Sequence, residues 1–351
     1  MPLTTTVLGA YPKPDYVPIQ DWFRIKDGQT TANATRAYDK TLLVADAETE
    51  ALFAQAAAEV IADQIDCGID IVTDGEVRRE NYIHYHCRHL DGFDFENLTR
   101  RVLRDGAYEA ELPTIRSDIR TRPEHFLPHD FAVAQASTDH PVKVTLPGPL
   151  TISDTTADEH YGDPARLGAD LAQALNFEIL ALVAAGCRHI QVDEPLFARK
   201  PGETLAFGID NLNLCFQGVG DGVTKTVHVC CGYPSRLDDE GYHKADPMAY
   251  FDMADALEAS LVDQVSLEDA HRNNDLSLLE RFRETTVVFG SIAIARSALE
   301  PVGAIRRRLI EALDHIDAER LVVAPDCGLG YLSRELAMQK LAHMCEAAKS
   351  I

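Results

Sequence analysis

Short runs of β-branched and other apolar residues alternate with longer amphipathic segments along almost the whole chain. This alternation is typical of parallel β/α units. Eight of the short runs are predicted strands: Thr5–Ala10, Ile69–Thr73, Val142–Leu146, His189–Val192, Thr224–Val229, Val262–Leu267, Thr286–Gly290 and Leu321–Ala324. Eight strands with intervening helices predict an α/β fold, a (β/α)8 TIM barrel.

The longer segments carry apolar residues at helical spacing. The predicted helices are Ala45–Asp66, Pro164–Ala185, Pro247–Ser260, Leu276–Arg283, Pro301–Ile316 and Glu335–Lys349. A doubly wound open sheet would show the same alternation. Because neither its glycine-rich dinucleotide motif nor a phosphate loop is present, the barrel is favoured.

The chain of 351 residues fits one barrel domain spanning residues 1–351. Between the second and third predicted strands, residues 80–140 mix short apolar pieces with Arg, Asp and Pro. We interpret this stretch as an insertion or hairpin above the barrel, a common place for residues that select substrates.

Composition narrows the classes of partner. A net charge of −23 and a pI near 4.9 oppose binding to nucleic acid or to anionic membranes, since both require a basic surface. No signal-like N-terminus and no run of eighteen apolar residues is present. The eight cysteines lack the spacing of a disulfide framework and are expected to be reduced, which predicts a cytoplasmic protein without membrane partners.

Four residues with metal-binding side chains fall where predicted strands end: His228, Cys230, Glu268 and Cys327. Each alone has an inert interpretation, such as a buried Cys or a carboxylate that caps a helix. The carboxyl ends of barrel strands converge on one rim, however, and imidazole, two thiolates and a carboxylate form a tetrahedral zinc set. Together they predict a Zn²⁺ site suited to activating a thiol.

Two further acids stand at predicted strand ends, Asp193 and Glu76. Carboxylates at a barrel rim could hold the ammonium group of a substrate through charge-assisted hydrogen bonds. Solvated or capping carboxylates are the alternative interpretation.

Taken in order, the motifs resemble those of the cobalamin-independent methionine synthases, specifically their catalytic C-terminal barrel. The resemblance covers nearly the whole chain. Its matching segments are Leu8-Gly9-Ala10-Tyr11-Pro12, Asp74-Gly75-Glu76-Val77-Arg78-Arg79, Pro147-Gly148-Pro149-Leu150-Thr151, Gln191-Val192-Asp193-Glu194-Pro195, His228-Val229-Cys230 and Pro325-Asp326-Cys327-Gly328-Leu329.

The resemblance implies zinc-dependent methyl transfer to the thiol of homocysteine, forming methionine. His228, Cys230, Glu268 and Cys327 match the zinc positions, and Asp193 and Glu76 match the residues that hold the amino-acid end of homocysteine. Gly9 and Ala10 are carried over as substrate-binding positions from the first motif. The catalytic assignments are Asp193 and Glu268, the latter as the ligand that the substrate sulfur would displace.

The sequence departs from the family where the methyl donor would bind. The family's tryptophan segment, associated with stacking the pterin, is replaced by 152–156 (Ile-Ser-Asp-Thr-Thr), and the single tryptophan is Trp22. The histidine proposed to protonate the folate is missing from 290–294 (Gly-Ser-Ile-Ala-Ile). The chain also has no room for the family's second, N-terminal barrel. The donor therefore stays open between a methyl-folate and a methyl-corrinoid protein.

Three alternatives share the same barrel. Alkyl transfer to another thiol, such as coenzyme M, would bring a sulfonate that Asp193 and Glu76 repel. A zinc-binding barrel without catalysis would keep the metal and show no change on adding a thiol. A related decarboxylase would need no zinc.

Overall fold

The structure is a computed structural model, and it describes residues 2–19, 23, 35, 38–103, 108–232, 236–239, 241 and 244–351. Its centre is a seven-stranded parallel sheet in the order β1-β4-β6-β7-β8-β9-β10. These strands are β1 (Val72–Thr73), β4 (Val142–Pro147), β6 (His189–Asp193), β7 (Thr224–Val229), β8 (Gln264–Leu267), β9 (Thr286–Gly290) and β10 (Leu321–Ala324). Two antiparallel strands, β2 (Leu90–Leu103) and β3 (Tyr108–Thr121), and the short β5 (Ala157–Asp158) form a second sheet.

The N-terminal segment closes the parallel sheet into a ring. Thr5 bridges Val323 of β10, and Thr6 bridges Ile71 beside β1, both in parallel. The predicted (β/α)8 barrel is therefore confirmed. The first predicted strand, Thr5–Ala10, is nevertheless too long, because the chain leaves the sheet after Thr6 and turns at Gly9, whose φ is +107°.

Helices surround the ring, and two short ones, Tyr82–Arg88 and Pro149–Asp154, carry residues that line the cleft at its rim. The helices are Ala47–Cys67, Tyr82–Arg88, Leu127–Gln135, Pro149–Asp154, Pro164–Ala184, Pro201–Glu203, Ile209–Cys215, Ala249–Glu258, Val302–Ala312 and Arg334–Lys349. Short 3-10 helices span Lys40–Val44, Leu276–Arg281 and Ala318–Arg320, and a π-helical turn spans Thr204–Gly208. The segment predicted as the helix Leu276–Arg283 is thus a shorter 3-10 helix, since Phe282 is already extended.

Local signals set the helix ends. Asp46 accepts a hydrogen bond from the amide of Thr49 and starts the first long helix, and Gly68 (φ +96°) ends it by donating to Gln64 and Ile65. Helix Pro164–Ala184 begins with a capping aspartate, Asp163, and a proline in its first turn. It is long and apolar enough to cross a membrane by composition, but half of its apolar window is buried, as in the core helix of a globular protein.

Alternation along the strands decides which side chains enter the barrel. In β7, Val227 and Val229 belong to the large core between the sheet and the helices. Their neighbours Thr226 and His228 therefore point to the barrel interior. This parity aims His228 toward the axis and carries the chain on to Cys230 at the carboxyl rim.

The stretch between β1 and β4 contains two different parts. Strands β2 and β3 pair as an antiparallel hairpin, confirming an insertion after the second barrel strand, and β3 also pairs with β5. The helix Leu127–Gln135 instead packs against two helices of the barrel wall, Ala47–Cys67 and Pro164–Ala184. Residues 127–135 thus supply the barrel's own outer layer.

Candidate metal and thiol site

Three of the four proposed metal ligands meet at the carboxyl rim of the barrel. The side-chain nitrogen of His228 and the sulfurs of Cys230 and Cys327 all lie within 4.8 Å of one another. His228 Nε2 is 3.4 Å from Cys327 Sγ, and its Nδ1 is 2.9 Å from Ser266 Oγ. If Nδ1 donates to Ser266, Nε2 presents its lone pair to the two sulfurs, which is the tautomer that a metal requires. We call these three residues the His/Cys cluster.

The two thiols share a proton unequally. The Cys327 thiol, with His228 nearby, lowers the pKa of Cys230 well below its usual range. The same contact, together with burial, raises the pKa of Cys327. One sulfur of the pair is therefore stabilised as a thiolate, the form that binds metals.

The fourth proposed ligand, Glu268, lies beside the His/Cys cluster in a different group of side chains. Its ligand atom falls within 4.8 Å of those of His271 and Asp326. Burial raises the pKa of Glu268 first, and the charge of Cys230 raises it further, so the carboxylate lies near that sulfur. Glu268 Oε1 is buried, and no described residue donates to it.

Asp326 and His271 are engaged in contacts within the protein, so we do not count them among the metal ligands. Asp326 accepts hydrogen bonds from the backbone amides of Asp269, Ala270 and His271, at 2.9, 2.9 and 2.6 Å. His271 Nδ1 lies 2.9 Å from Asp326, and its Nε2 accepts from the amide of Ala295. With both ring nitrogens engaged, His271 is not available as a ligand. Asp326 instead ties the loop after Glu268 to the loop that carries Cys327.

Glu76 is held by a buried arginine and threonine. Arg79 Nη1 lies 3.3 Å from Glu76 Oε1 and donates to the carbonyl of Thr145 at 2.9 Å, while the Thr145 hydroxyl donates to the same carboxylate oxygen at 2.8 Å. Glu76 itself has φ +56°, a conformation that non-glycine residues seldom adopt. Burial raises the pKa of Glu76, and Arg79 opposes that effect.

Gly9 is the neighbour that makes room for Glu76. A Cβ at position 9 would lie 2.6 Å from Glu76 Oε1, inside contact distance. Gly9 thus shapes the site without lining the cleft, whereas Ala10 and Glu76 both line it.

Asp193 ends β6 at the same rim. Gln191 Nε2 donates to its carboxylate at 2.7 Å. Burial raises the pKa of Asp193 to about 7, and His228 opposes that effect. Burial disfavours the ionised forms of Asp193 and Glu76. A positively charged ammonium group bound nearby would stabilise these carboxylates and lower both pKa values.

Above these residues lies a cleft of about 1010 Å³, counted to its open mouth. Its floor is the His/Cys cluster with Asp193. One side, which we call the glycine wall, consists of Ala10, Glu76 and Gly328. A second group of lining residues, which we call the hairpin wall, consists of Ala110, Leu112, Thr151, Thr155 and Arg199. Glu268 does not line the cleft.

Sequence reasoning missed several residues that line this cleft or support its ligands. Tyr82 lies near four acidic side chains, and its burial raises its pKa, so the phenol keeps its proton. His84 spans from Thr35 Oγ1 at 2.9 Å to the carbonyl of Thr155 at 3.4 Å. Ser266 and Arg199 carried no motif at all. A search for polar residues in the chain following each strand end would have found Arg199.

The chain is similar to known proteins over nearly its whole length. The family described as "Cobalamin-independent synthase, Catalytic domain" matches residues 3–350. A methionine synthase of Sulfolobus acidocaldarius is 32% identical over 346 residues, covering 97% of this chain and 90% of that protein. The chain belongs to the cobalamin-independent methionine synthase family. The resemblance found in the motifs is thereby confirmed.

Two other methionine synthases are similar to this chain over its whole length. A methionine synthase of Saccharolobus islandicus is 30% identical over 352 residues, covering 99% of this chain and 95% of that one. A B12-independent methionine synthase from a Shewanella species, solved in complex with selenomethionine, superposes with a TM-score of 0.86 at 28% identity, covering 100% of this chain and 98% of that chain. The relatives share the barrel over its whole length.

The structure shows where the segments that differ from the family's motifs lie. Residues Ile152 and Thr155 belong to the stretch that begins as the helix Pro149–Asp154, and Thr155 lines the hairpin wall. Ser291 follows β9 and donates to the carbonyl of Ala324, outside the cleft lining. Trp22 lies outside the described residues.

Proposed function

We propose that this chain is a zinc-dependent methyltransferase that methylates the thiol of homocysteine to form methionine. The observation that carries the proposal is the His/Cys cluster on the floor of a cleft that Glu76 and Asp193 also line. A site that gathers thiolate-rich metal ligands beside two ammonium-binding acids fits an amino acid with a thiol side chain.

The residues fit Zn²⁺. One imidazole nitrogen and two sulfurs converge, Ser266 supports the imidazole from behind, and the buried Oε1 of Glu268 lacks a partner among the described residues. A buried carboxylate oxygen without a donor is costly, and a cation would offset that cost. His228, Cys230, Cys327 and Glu268 are the residues proposed to hold the metal. When bound, zinc favours the thiolate form of a coordinated thiol at neutral pH.

The remaining residues orient the acceptor. Asp193 and Glu76 bind the ammonium group, and Arg79 with Thr145 holds the Glu76 carboxylate in place. Ala10 and Gly328 close the glycine wall against the small substrate. Asp193 is the catalytic residue in the sense that it touches the substrate and sets the direction of its thiol.

The methyl donor is a methyl-folate or a methyl-corrinoid protein. The absence of the family's histidine and tryptophan favours a donor whose leaving group needs no proton. A cytoplasmic location accords with eight free thiols. The acidic pair disfavours coenzyme M, because its sulfonate would meet two carboxylates.

The test is a matrix of substrates on zinc-loaded protein. Homocysteine and coenzyme M are each paired with methyltetrahydrofolate and with methylcobalamin, and methylated thiol is measured by mass spectrometry. We expect methionine with at least one donor and no methylated coenzyme M. Zinc-edge absorption should also gain a sulfur neighbour when homocysteine is added. An unchanged ligand set and no methionine would contradict the proposal and favour a non-catalytic zinc barrel.

A further inference from the structure

Arg199 occupies a firmly held turn beside the cleft. The turn runs from the end of β6, where the amides of Arg199 and Lys200 both donate to the carbonyl of Leu196, at 3.0 and 2.8 Å. Lys200 Nζ then pairs with Asp154 Oδ1 at 2.7 Å. The backbone position of Arg199 is therefore fixed from both sides, and its side chain lines the hairpin wall.

The same unit includes the rest of the hairpin wall. Glu194, at the start of the turn, accepts from the amides of Leu150 and Thr151 at 2.9 and 3.0 Å. The chain continues from that helix into β5, which pairs with β3 of the hairpin. The wall is thus one connected body of turn, short helix and hairpin, separate from the glycine wall.

No described residue accepts a hydrogen bond from the Arg199 side chain, whose Nε is buried. Its positive charge does act on Cys230, where it helps to lower the thiol pKa. Among the described residues that line the cleft, the anionic side chains near Arg199 are this sulfur and two acids, Glu76 and Asp193. A guanidinium keeps its charge at any physiological pH, and a buried donor without an acceptor is costly. The position calls for an acceptor brought by a ligand.

In the proposed binding mode, the acceptor substrate does not contact Arg199. Its ammonium group belongs with Glu76 and Asp193, and its sulfur belongs at the His/Cys cluster. A methyl group moves in line between the attacking sulfur and the leaving atom. The hairpin wall with Arg199 supplies lining residues that this pose of the acceptor leaves uncontacted, so the donor is assigned to this group.

The chemistry of the transfer gives Arg199 a role. The S–C bond forms with the sulfur's electron pair, and the bond from the methyl carbon to its donor atom breaks. That bond's electron pair stays on the donor, whose charge becomes one unit more negative. Arg199 is positively charged and does not release a proton, so it can stabilise this charge only electrostatically.

We propose that Arg199 forms the donor subsite and binds the negatively charged face of the methyl donor's leaving group. The inference rests on the proposed methyl transfer and adds the residue that recognises the donor. Methyl-folates and methyl-corrinoids share the relevant chemistry, since both leaving groups gain an electron pair.

Equilibrium binding tests the subsite separately from turnover. Tetrahydrofolate and cob(I)alamin, the two demethylated leaving groups, are titrated by calorimetry without oxygen into the zinc-loaded wild type, Arg199→Gln and Arg199→Lys. We expect Arg199→Gln to bind the recognised compound about 10- to 100-fold more weakly, the range of a charged hydrogen bond. Arg199→Lys, which keeps the charge, should recover part of that loss. The arm that responds identifies the donor class.

Three controls separate this role from a structural one. Arg188→Gln removes one positive charge from an exposed position just before β6, outside the cleft lining, and should change donor binding less than about twofold. Zinc content and homocysteine binding should be unchanged in both Arg199 variants. Loss of zinc or of homocysteine binding would overturn the inference, because Arg199 would then serve the thiolates or the acceptor.

Failure of the inference and failure of the proposed function look different. A wild type that makes methionine while Arg199→Gln binds both compounds normally overturns the inference alone. A wild type that binds neither compound overturns it as well. A wild type that makes no methylated thiol, yet loses donor binding with Arg199→Gln, contradicts the proposed function and leaves the subsite supported.

Discussion

The floor and glycine wall of the cleft differ in construction from the hairpin wall. His228, Asp193 and Cys230 belong to strand ends or follow them directly, where the parallel ladder fixes the backbone. Leu112 and Thr155 instead belong to an inserted hairpin and to the end of a six-residue helix. The half proposed to bind the thiol is thus part of the barrel frame, whereas the half proposed to face the donor combines the inserted hairpin with segments that follow β4 and β6. A barrel built this way can change its donor without rebuilding its thiol site.

The strongest test of this difference is to remove one sulfur from the His/Cys cluster. The wild type is expected to bind roughly one zinc per chain, and Cys230→Ser and Cys327→Ser should each lose it. Metal affinity should fall by more than about 100-fold, since loss of an outer partner alone costs about 10- to 100-fold. Metal analysis of purified protein gives the answer.

The matched control is Cys231→Ser. Cys231 is equally buried, adjacent to Cys230, and its sulfur lies 3.5 Å from Arg272 Nη2 instead of joining the His/Cys cluster. It should keep its zinc. If both cluster variants also keep theirs, the floor is not a metal site.

The second test concerns the two acids. Glu76→Gln and Asp193→Asn should each raise KM for homocysteine about 10- to 100-fold, because each removes a charged hydrogen bond worth about 1.5–3 kcal/mol. Zinc content should not change. The measurement is steady-state kinetics with homocysteine and with 2-mercaptoethanol, which lacks the ammonium group.

The control thiol decides the interpretation. With 2-mercaptoethanol the variants should react at close to the wild-type rate. An equal loss with both thiols would mean that the acids support the metal site instead of the ammonium.

The sequence predicted the barrel frame better than it predicted the hairpin wall. Seven predicted strands correspond to barrel strands. Candidate metal ligands could be proposed from the sequence because a zinc site admits few residue types at strand ends. The hairpin could not be read, since β2 has no steady alternation and its register shifts between Asp91 and Phe93 and between Asp94 and Thr99. A search of the chain after each strand end would have found Arg199, but its role could not be assigned, because a lone arginine in a turn is usually solvated. Only the structure shows that no described residue accepts a hydrogen bond from its side chain.

The third test asks whether Gly9 shapes the glycine wall through Glu76. Gly9→Ala places a methyl group 2.6 Å from Glu76 Oε1 at a backbone φ of +107°. We expect stability to fall by on the order of 1 kcal/mol or more from the backbone alone. We also expect a rise of about 3- to 10-fold in KM for homocysteine, because the carboxylate must move.

Gly186→Ala is the matched control. Gly186 has nearly the same backbone, with φ +101°, and a Cβ there meets nothing within 4 Å. Thermal unfolding should show a similar loss of stability in both variants, while only Gly9→Ala should raise KM. Equal KM values would show that Glu76 does not depend on this glycine.

The smallest expected effect lies in the hairpin wall. Leu112 is buried but belongs to a small cluster with Ala110 and Ala157, apart from the main core. Leu112→Ala should therefore cost less stability than a core substitution and should raise KM for the donor about two- to fivefold, with KM for homocysteine unchanged. Ile115→Ala, three residues along β3, removes a fully buried side chain of the main core outside the cleft lining. It should lower the thermal midpoint strongly, since such losses cost about 2–5 kcal/mol, while KM for the donor stays the same. If Leu112→Ala instead changed KM for homocysteine, the two walls would not divide donor from acceptor.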